Sequence, residues 1–109
     1  MSPGLGIRHY APRARVMLVE SIAELNAVLK REAREHRVGV LLPGGWAAPD
    51  SSVVVLRWGS WSEPELLARE LYIQMRALDD LGVEVIVCPL PPAEGIGLAI
   101  RDRLLKTSE

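Results

Sequence analysis

Residues 62–88 read SEPELLARELYIQMRALDDLGVEVIVC, and the two halves of this stretch follow different periodicities. Leu67, Leu71, Met75 and Leu78 recur at three- and four-residue spacing, which lines them up on one face of a helix. Ser62 and Glu65 have capping-box spacing, so the helix is predicted to start at Ser62; Gly82 is its predicted C-terminal stop. Val83 to Val87 then forms a β-branched run without helical spacing, as expected of a strand. A helix delivered straight into such a strand is half of a β-α-β unit.

Moving outward, the same alternation continues. Val53 to Leu56 reads as a short strand stopped by Trp58-Gly59, and Val38 to Leu42 as another stopped by Pro43-Gly44-Gly45. Val16 to Val19 is the first strand. After it, Ser21 and Glu24 repeat the capping-box spacing, and Ile22, Leu25, Val28 and Leu29 form one apolar helical face. Beyond the fourth strand, Pro89 to Pro92 reads as a rigid loop, and Ile96, Ile100 and Leu104 mark a last helix running to about Lys106.

The resulting order is β-α-β-β-α-β-α, with aliphatic strands that do not alternate. This predicts an α/β fold, a Rossmann-like three-layer α/β/α sandwich with a mostly parallel sheet of about four strands. About ten residues separate the second and third strands, short for a helical crossover, so the direction of one strand stays open. Residues 1–14 read as a linker or arm, and residues 15–109 as the single domain.

Composition narrows the function. At 109 residues there is room for one core, and 49% hydrophobic with 25% charged residues is the balance of a packed domain. A net charge of -1 provides no basic face to hold a phosphate backbone, so direct nucleic-acid binding is not expected. No apolar stretch approaches the ~20 residues of a membrane span, and the first residues lack the core of a signal peptide. Cys88 is the sole cysteine, within an apolar run, which fits a reducing cytoplasm. Phe is absent, so the core has to be aliphatic.

Candidate sites are sparse. The two histidines, His9 and His36, do not cluster with Cys88, so neither a metal nor another cofactor is expected. His36 follows a charged helical face and reads as a solvated residue at a helix C-terminus. Gly95 and Gly97, entering the last helix, could present backbone N–H groups to an anion, or could serve turn geometry and close packing. Trp46, Trp58 and Trp61 flank the third strand, as partner anchors or as covers for the sheet end. Gly59-Ser60-Trp61 is not a nucleophile elbow, and no independent enzyme is indicated. His9 and Tyr10, between Arg8 and Arg13, are not required by any core; they belong to a tail or to a contact surface.

Three strings then meet in order: Ser2-Pro3-Gly4 with His9-Tyr-Ala-Pro12, LYIQMRALD at residues 71–79, and GIGLAIRDRL at residues 95–104. Together they resemble the C-terminal domain of the two-domain threonylcarbamoyl-AMP synthases. In that family a YrdC-like catalytic domain comes first, then a linker of the SPG…HYAP type, then a small α/β domain. The chain departs from some members at Gly6 and Ile7, where they carry a lysine and an aromatic. The resemblance implies a non-catalytic accessory or regulatory role in a synthase that joins threonine, bicarbonate and ATP into threonylcarbamoyl-AMP with release of pyrophosphate, for threonylcarbamoyladenosine modification of tRNA. It implies that the YrdC-like domain, in cis or in trans, binds all three substrates and that this chain alone is inactive. The family linker drapes over the catalytic pocket, which makes Ser2, Pro3, Gly4, Arg8, His9 and Tyr10 lid residues, the last three near bound nucleotide or pyrophosphate. The alternative is a stand-alone sensor of a nucleotide or amino acid at the carboxyl ends of its strands.

Overall fold

A computed structural model describes residues 11–49 and 52–108. The elements are β1 (Arg15–Val19), α1 (Ile22–Glu32), β2 (Val38–Pro43), β3 (Val54–Gly59), α2 (Pro64–Asp80), β4 (Val85–Pro89) and α3 (Ile96–Thr107). The four strands form one sheet in the order β1-β4-β2-β3, and every neighbouring pair is parallel. The strand whose direction the sequence left open therefore runs with the others.

Topology explains the layering. The crossover from β1 to β2 runs one way across the sheet, and that from β3 back to β4 runs the other way. Crossovers of the same right-handed sense in opposite directions put their helices on opposite faces. Accordingly, α1 packs through Leu25, Val28 and Leu29 on one face, against Val40, Leu42, Val85 and Val87. On the other face α2 and α3 bring Leu67, Leu71, Met75, Leu78, Ile100 and Leu104 against Leu41, Ile86 and Cys88. The central strands β2 and β4 are buried along their whole length, as their unbroken apolar sequences require. Burial pushes the Cys88 thiol far up, so it stays a protonated, inert part of this core.

One close approach marks where β2 and α2 pack. A Cβ on Gly39 would meet Leu78 Cδ2 at 2.7 Å, so the Leu78 side chain would have to shift for any larger residue here. Val54 pairs with Gly39, and β2 joins β3 through a loop without a helix among the described residues. A six-residue strand is roughly 20 Å long, and about ten extended residues reach roughly 33 Å, so the loop can return the chain to a parallel start.

Four sequence expectations need correction. The second capping box does not form: α2 begins at Pro64, its N-cap is Glu63, and no side chain caps it. Proline fits the first turn, having no N–H to satisfy, while Ser62 and Ser60 bond each other through their hydroxyls at 2.8 Å. The third strand does not stop before Trp58 but runs through it to Gly59, with a register shift opposite Leu42 and Pro43. Trp58 turns under α2, where its Nε1–H donates to Leu67 O at 3.0 Å. The fourth strand lies two residues later than predicted, because Leu18 and Val19 of β1 keep pairing as far as Cys88 and Pro89. Finally, α1 ends at Glu32, so His36 lies beyond its last turn; it is exposed, with Nδ1 3.5 Å from a Glu84 carboxylate oxygen.

The first capping box is present in a modified form. Ser21 Oγ accepts the Glu24 N–H at 3.0 Å, and the Glu24 carboxylate reaches back to the N–H of Glu20, at 2.7 Å, rather than to that of Ser21.

Candidate functional site

Ser2, Pro3, Gly4, Arg8, His9 and Tyr10 lie outside the described residues. What is described is the root of the arm, where the chain enters β1. The Arg13 N–H donates to Asp79 Oδ2 at 2.8 Å and the Ala14 N–H to Asp79 Oδ1 at 3.1 Å. The next amide, of Arg15, donates to Glu84 O at 3.0 Å. Three successive amides are thus held. Asp79 is 8% exposed and Ala14 7%, so the Ala14 side of the clasp is seated on the core, while Arg13 lies at the surface and its bond is partly buried.

Asp79 was not identified from the sequence. It ends the LYIQMRALD string, and its partners lie 65 and 66 residues away. One signal was available: an acidic residue in the last turn of a helix opposes the helix dipole and calls for donors from elsewhere.

Around the clasp, the amino ends of the strands are ionic. The Glu84 carboxylate accepts the Arg37 N–H at 2.9 Å, and the Arg37 guanidinium donates to Leu81 O at 3.0 Å, just past the end of α2. The Arg37 N–H holds the Glu84 carboxyl below the usual carboxylate range; desolvation opposes it in part, and His36 and the Arg37 charge add attraction. Glu32, nearly buried, lies 3.2 Å from Arg31 and 3.7 Å from Arg15.

The other sequence candidates lie at the opposite, carboxyl ends of the strands. Gly95 is the N-cap of α3 with φ 54°, and a Cβ on Gly97 would collide with Pro92 O. The N–H groups of Gly97 and Leu98 bond to Glu94 O and Gly95 O, at 2.9 and 3.1 Å, and so point into the turn rather than toward a ligand. A shallow, open groove of about 460 Å³ runs along α3 from Gly95 past Leu98, Arg101, Asp102 and Leu105. Trp61 stands edge-on between Trp58 and Trp46, with ring centres 5.7 and 6.3 Å away. Trp58 is buried and the other two are half-buried, covering the sheet end. Among the described residues no buried side-chain nitrogen or oxygen lacks a hydrogen bond, and no cluster of His, Cys, Asp or Glu could hold a metal ion. None of their helices is long and apolar enough to cross a membrane.

Comparison with known proteins gives a consistent result. Residues 1–108 match the model of the threonylcarbamoyl-AMP synthase C-terminal domain. The chain is 36% identical to the threonylcarbamoyl-AMP synthase of Pyrococcus abyssi over 98% of its length, and 34% identical to that of Bacillus subtilis over 99%. It spans about a third of each, 32% in both cases. Among solved structures it is similar to Pyrococcus abyssi Sua5 complexed with L-threonine, at a TM-score of 0.70 and 36% identity, covering 93% of this chain and 30% of that one. A variant of the same protein, with an adjacent histidine and tyrosine both replaced by alanine, aligns at a TM-score of 0.69 and 32% identity over 89% of this chain and 28% of that one. The isolated C-terminal Sua5 domain from Pyrococcus horikoshii aligns at 0.63 and 31% identity, over 87% of this chain and 93% of that one.

Proposed function

Because the chain belongs to the family of threonylcarbamoyl-AMP synthase C-terminal domains, we propose that it serves as the accessory part of such a synthase in the cytoplasm. Its N-terminal arm acts as a lid over a YrdC-like catalytic domain, in cis or in trans. That domain would bind ATP, threonine and bicarbonate, form threonylcarbamoyl-AMP and release pyrophosphate, for threonylcarbamoyladenosine modification of tRNA.

The carrying observation is the coverage: the family match takes in the whole arm as well as the α/β domain, yet the chain spans only a third of its full-length relatives. The sensor alternative is not favoured. At its best loop the N–H groups of Gly97 and Leu98 are spent internally, and Pro92 O lies where a Cβ on Gly97 would stand.

A lid works by excluding water and completing the substrate pocket, which strengthens electrostatic contacts to a developing charge. Arg8, His9 and Tyr10 supply a cation, an imidazole and a phenol, all able to donate to phosphate oxygens. An adjacent histidine and tyrosine, the dipeptide formed here by His9 and Tyr10, are also the residues replaced in the Pyrococcus abyssi variant. In a protein where a YrdC-like domain precedes residue 1, His9→Ala with Tyr10→Ala should lower pyrophosphate release by about tenfold or more and leave Tm within roughly 2 °C. Full activity in the double variant, or unfolding several degrees early, would show the arm to be only a tether.

A further inference from the structure

We propose that Asp79 is the positioning residue of the arm: its carboxylate fixes the place and direction of the backbone at Arg13 and Ala14, which the arm precedes. This rests on the lid reading, and its test separates the two.

Both carboxylate oxygens are used, one on each of two consecutive amides, at 2.8 and 3.1 Å. A single bond or an apolar contact would hold a point; two oxygens on two adjacent peptide planes hold an orientation as well. The clasp is not local, because α2 and the arm root are brought together only by the tertiary fold. It is rigid on both sides. Asp79 sits one residue after fully buried Leu78, and Ala14 and Val16 enter the same cluster of core residues as Leu78 and Val83.

The residue type also points to this role. A carboxylate in the last turn of a helix faces the negative end of the dipole, so it persists there through compensating bonds. Charge-assisted bonds to backbone N–H groups are the strong class, and burial strengthens them further. Displacing a lid by an ångström at its root is enough to spoil a pocket that depends on exact placement.

The test places a YrdC-like domain before residue 1 and introduces Asp79→Asn. The amide is nearly isosteric but offers one acceptor and one donor where the carboxylate offers two acceptors. Hydrogen exchange at the amides of Arg13 and Ala14 should accelerate about tenfold or more, with Ile86 and Val87 of β4 unchanged. KM for threonine or ATP should rise about fivefold or more, and Asp79→Glu, which restores the carboxylate, should recover part of it. On top of His9→Ala and Tyr10→Ala, Asp79→Asn should add no further loss, because it acts through the arm.

Faster exchange at Arg13 and Ala14 with unaltered kinetics overturns the positioning role and leaves the lid reading intact. Unaltered exchange overturns the clasp. A fully active His9→Ala and Tyr10→Ala variant overturns the lid and this inference with it. Should Asp79→Asn fail to fold, Arg13→Pro removes one of the two donors without touching α2, and exchange at the remaining Ala14 amide together with KM decides by the same criteria.

Discussion

The carboxyl ends of the strands carry Trp46, Trp58, Trp61, Gly95 and Gly97, while the amino ends carry Asp79, Glu84, Arg15 and Arg37. The two ends stand roughly 15–20 Å apart, one strand length. At the carboxyl end the chain is fixed by shape: indoles packed edge to face, and a glycine tight against a backbone carbonyl. At the amino end it is fixed by carboxylates that accept backbone N–H groups. In an open α/β sheet the carboxyl end is where ligands ordinarily bind. Here the residues that the proposed function uses lead into β1 at the other end, so the usual expectation points away from them. Because their forces differ, the two ends should respond differently to mutation and to pH.

The largest effect is expected at Trp58. It is 2% exposed, lies under α2, and satisfies Leu67 O through its indole N–H. Trp58→Ala removes the ring, the hydrogen bond and the support of Trp61, and should cost about 3–5 kcal/mol. In a domain of this size that lowers Tm by well over 10 °C. Since no ionisable group is involved, the loss should be the same at acidic and neutral pH. Denaturant melts at both values check this, and a pH-dependent loss would mean that the two ends are coupled.

Gly97→Ala comes next. The added Cβ meets Pro92 O, part of the backbone, which cannot move aside as the end of a flexible side chain can. Overpacking of this kind costs about 1–3 kcal/mol. If Gly97 instead served an anion, the variant would lose ligand binding with little loss of stability. Thermal melts with and without inorganic phosphate distinguish the two.

The difference between the ends also decides how much could be read from sequence. Central strands β2 and β4 were legible because burial on both faces leaves unbroken apolar runs, and Ser21 with Glu24 because a cap is local. Trp58 and Gly59 were misread as a strand stop, since the indole's partner is Leu67 on α2, beyond the loop that follows them. Ser62 and Glu65 matched a spacing that Pro64 made unnecessary. The SPG…HYAP segment stood out as a string of residues rather than through any periodicity, and the clasp at Arg13 and Ala14 was invisible because Asp79 meets them only after folding. Local rules reach the carboxyl end of this molecule better than the amino end, where pairing is long-range.

The smallest effect, and the one that most sharpens the comparison, belongs to Glu84. Its carboxylate accepts the Arg37 N–H at 2.9 Å and faces the His36 imidazole at 3.5 Å and the Arg37 charge, which together lower its pKa from the ordinary carboxylate value. A carboxyl whose pKa is lower folded than unfolded stabilises the native state when ionised. That contribution is complete above the unfolded pKa and disappears as pH falls through the lower, folded value. Glu84→Gln keeps a carbonyl acceptor but not the charge, so at neutral pH it should lower Tm slightly, by about 1–2 °C, because the group is exposed and screened by solvent. As pH falls below the folded pKa the wild-type side chain becomes neutral as well, and the two melting curves should converge. Thermal melts of both proteins from neutral pH down to about pH 3, at low and high salt, measure the gap. A gap that persists at low pH would mean that Glu84 acts through geometry alone, and the amino end would then be held by shape as the carboxyl end is.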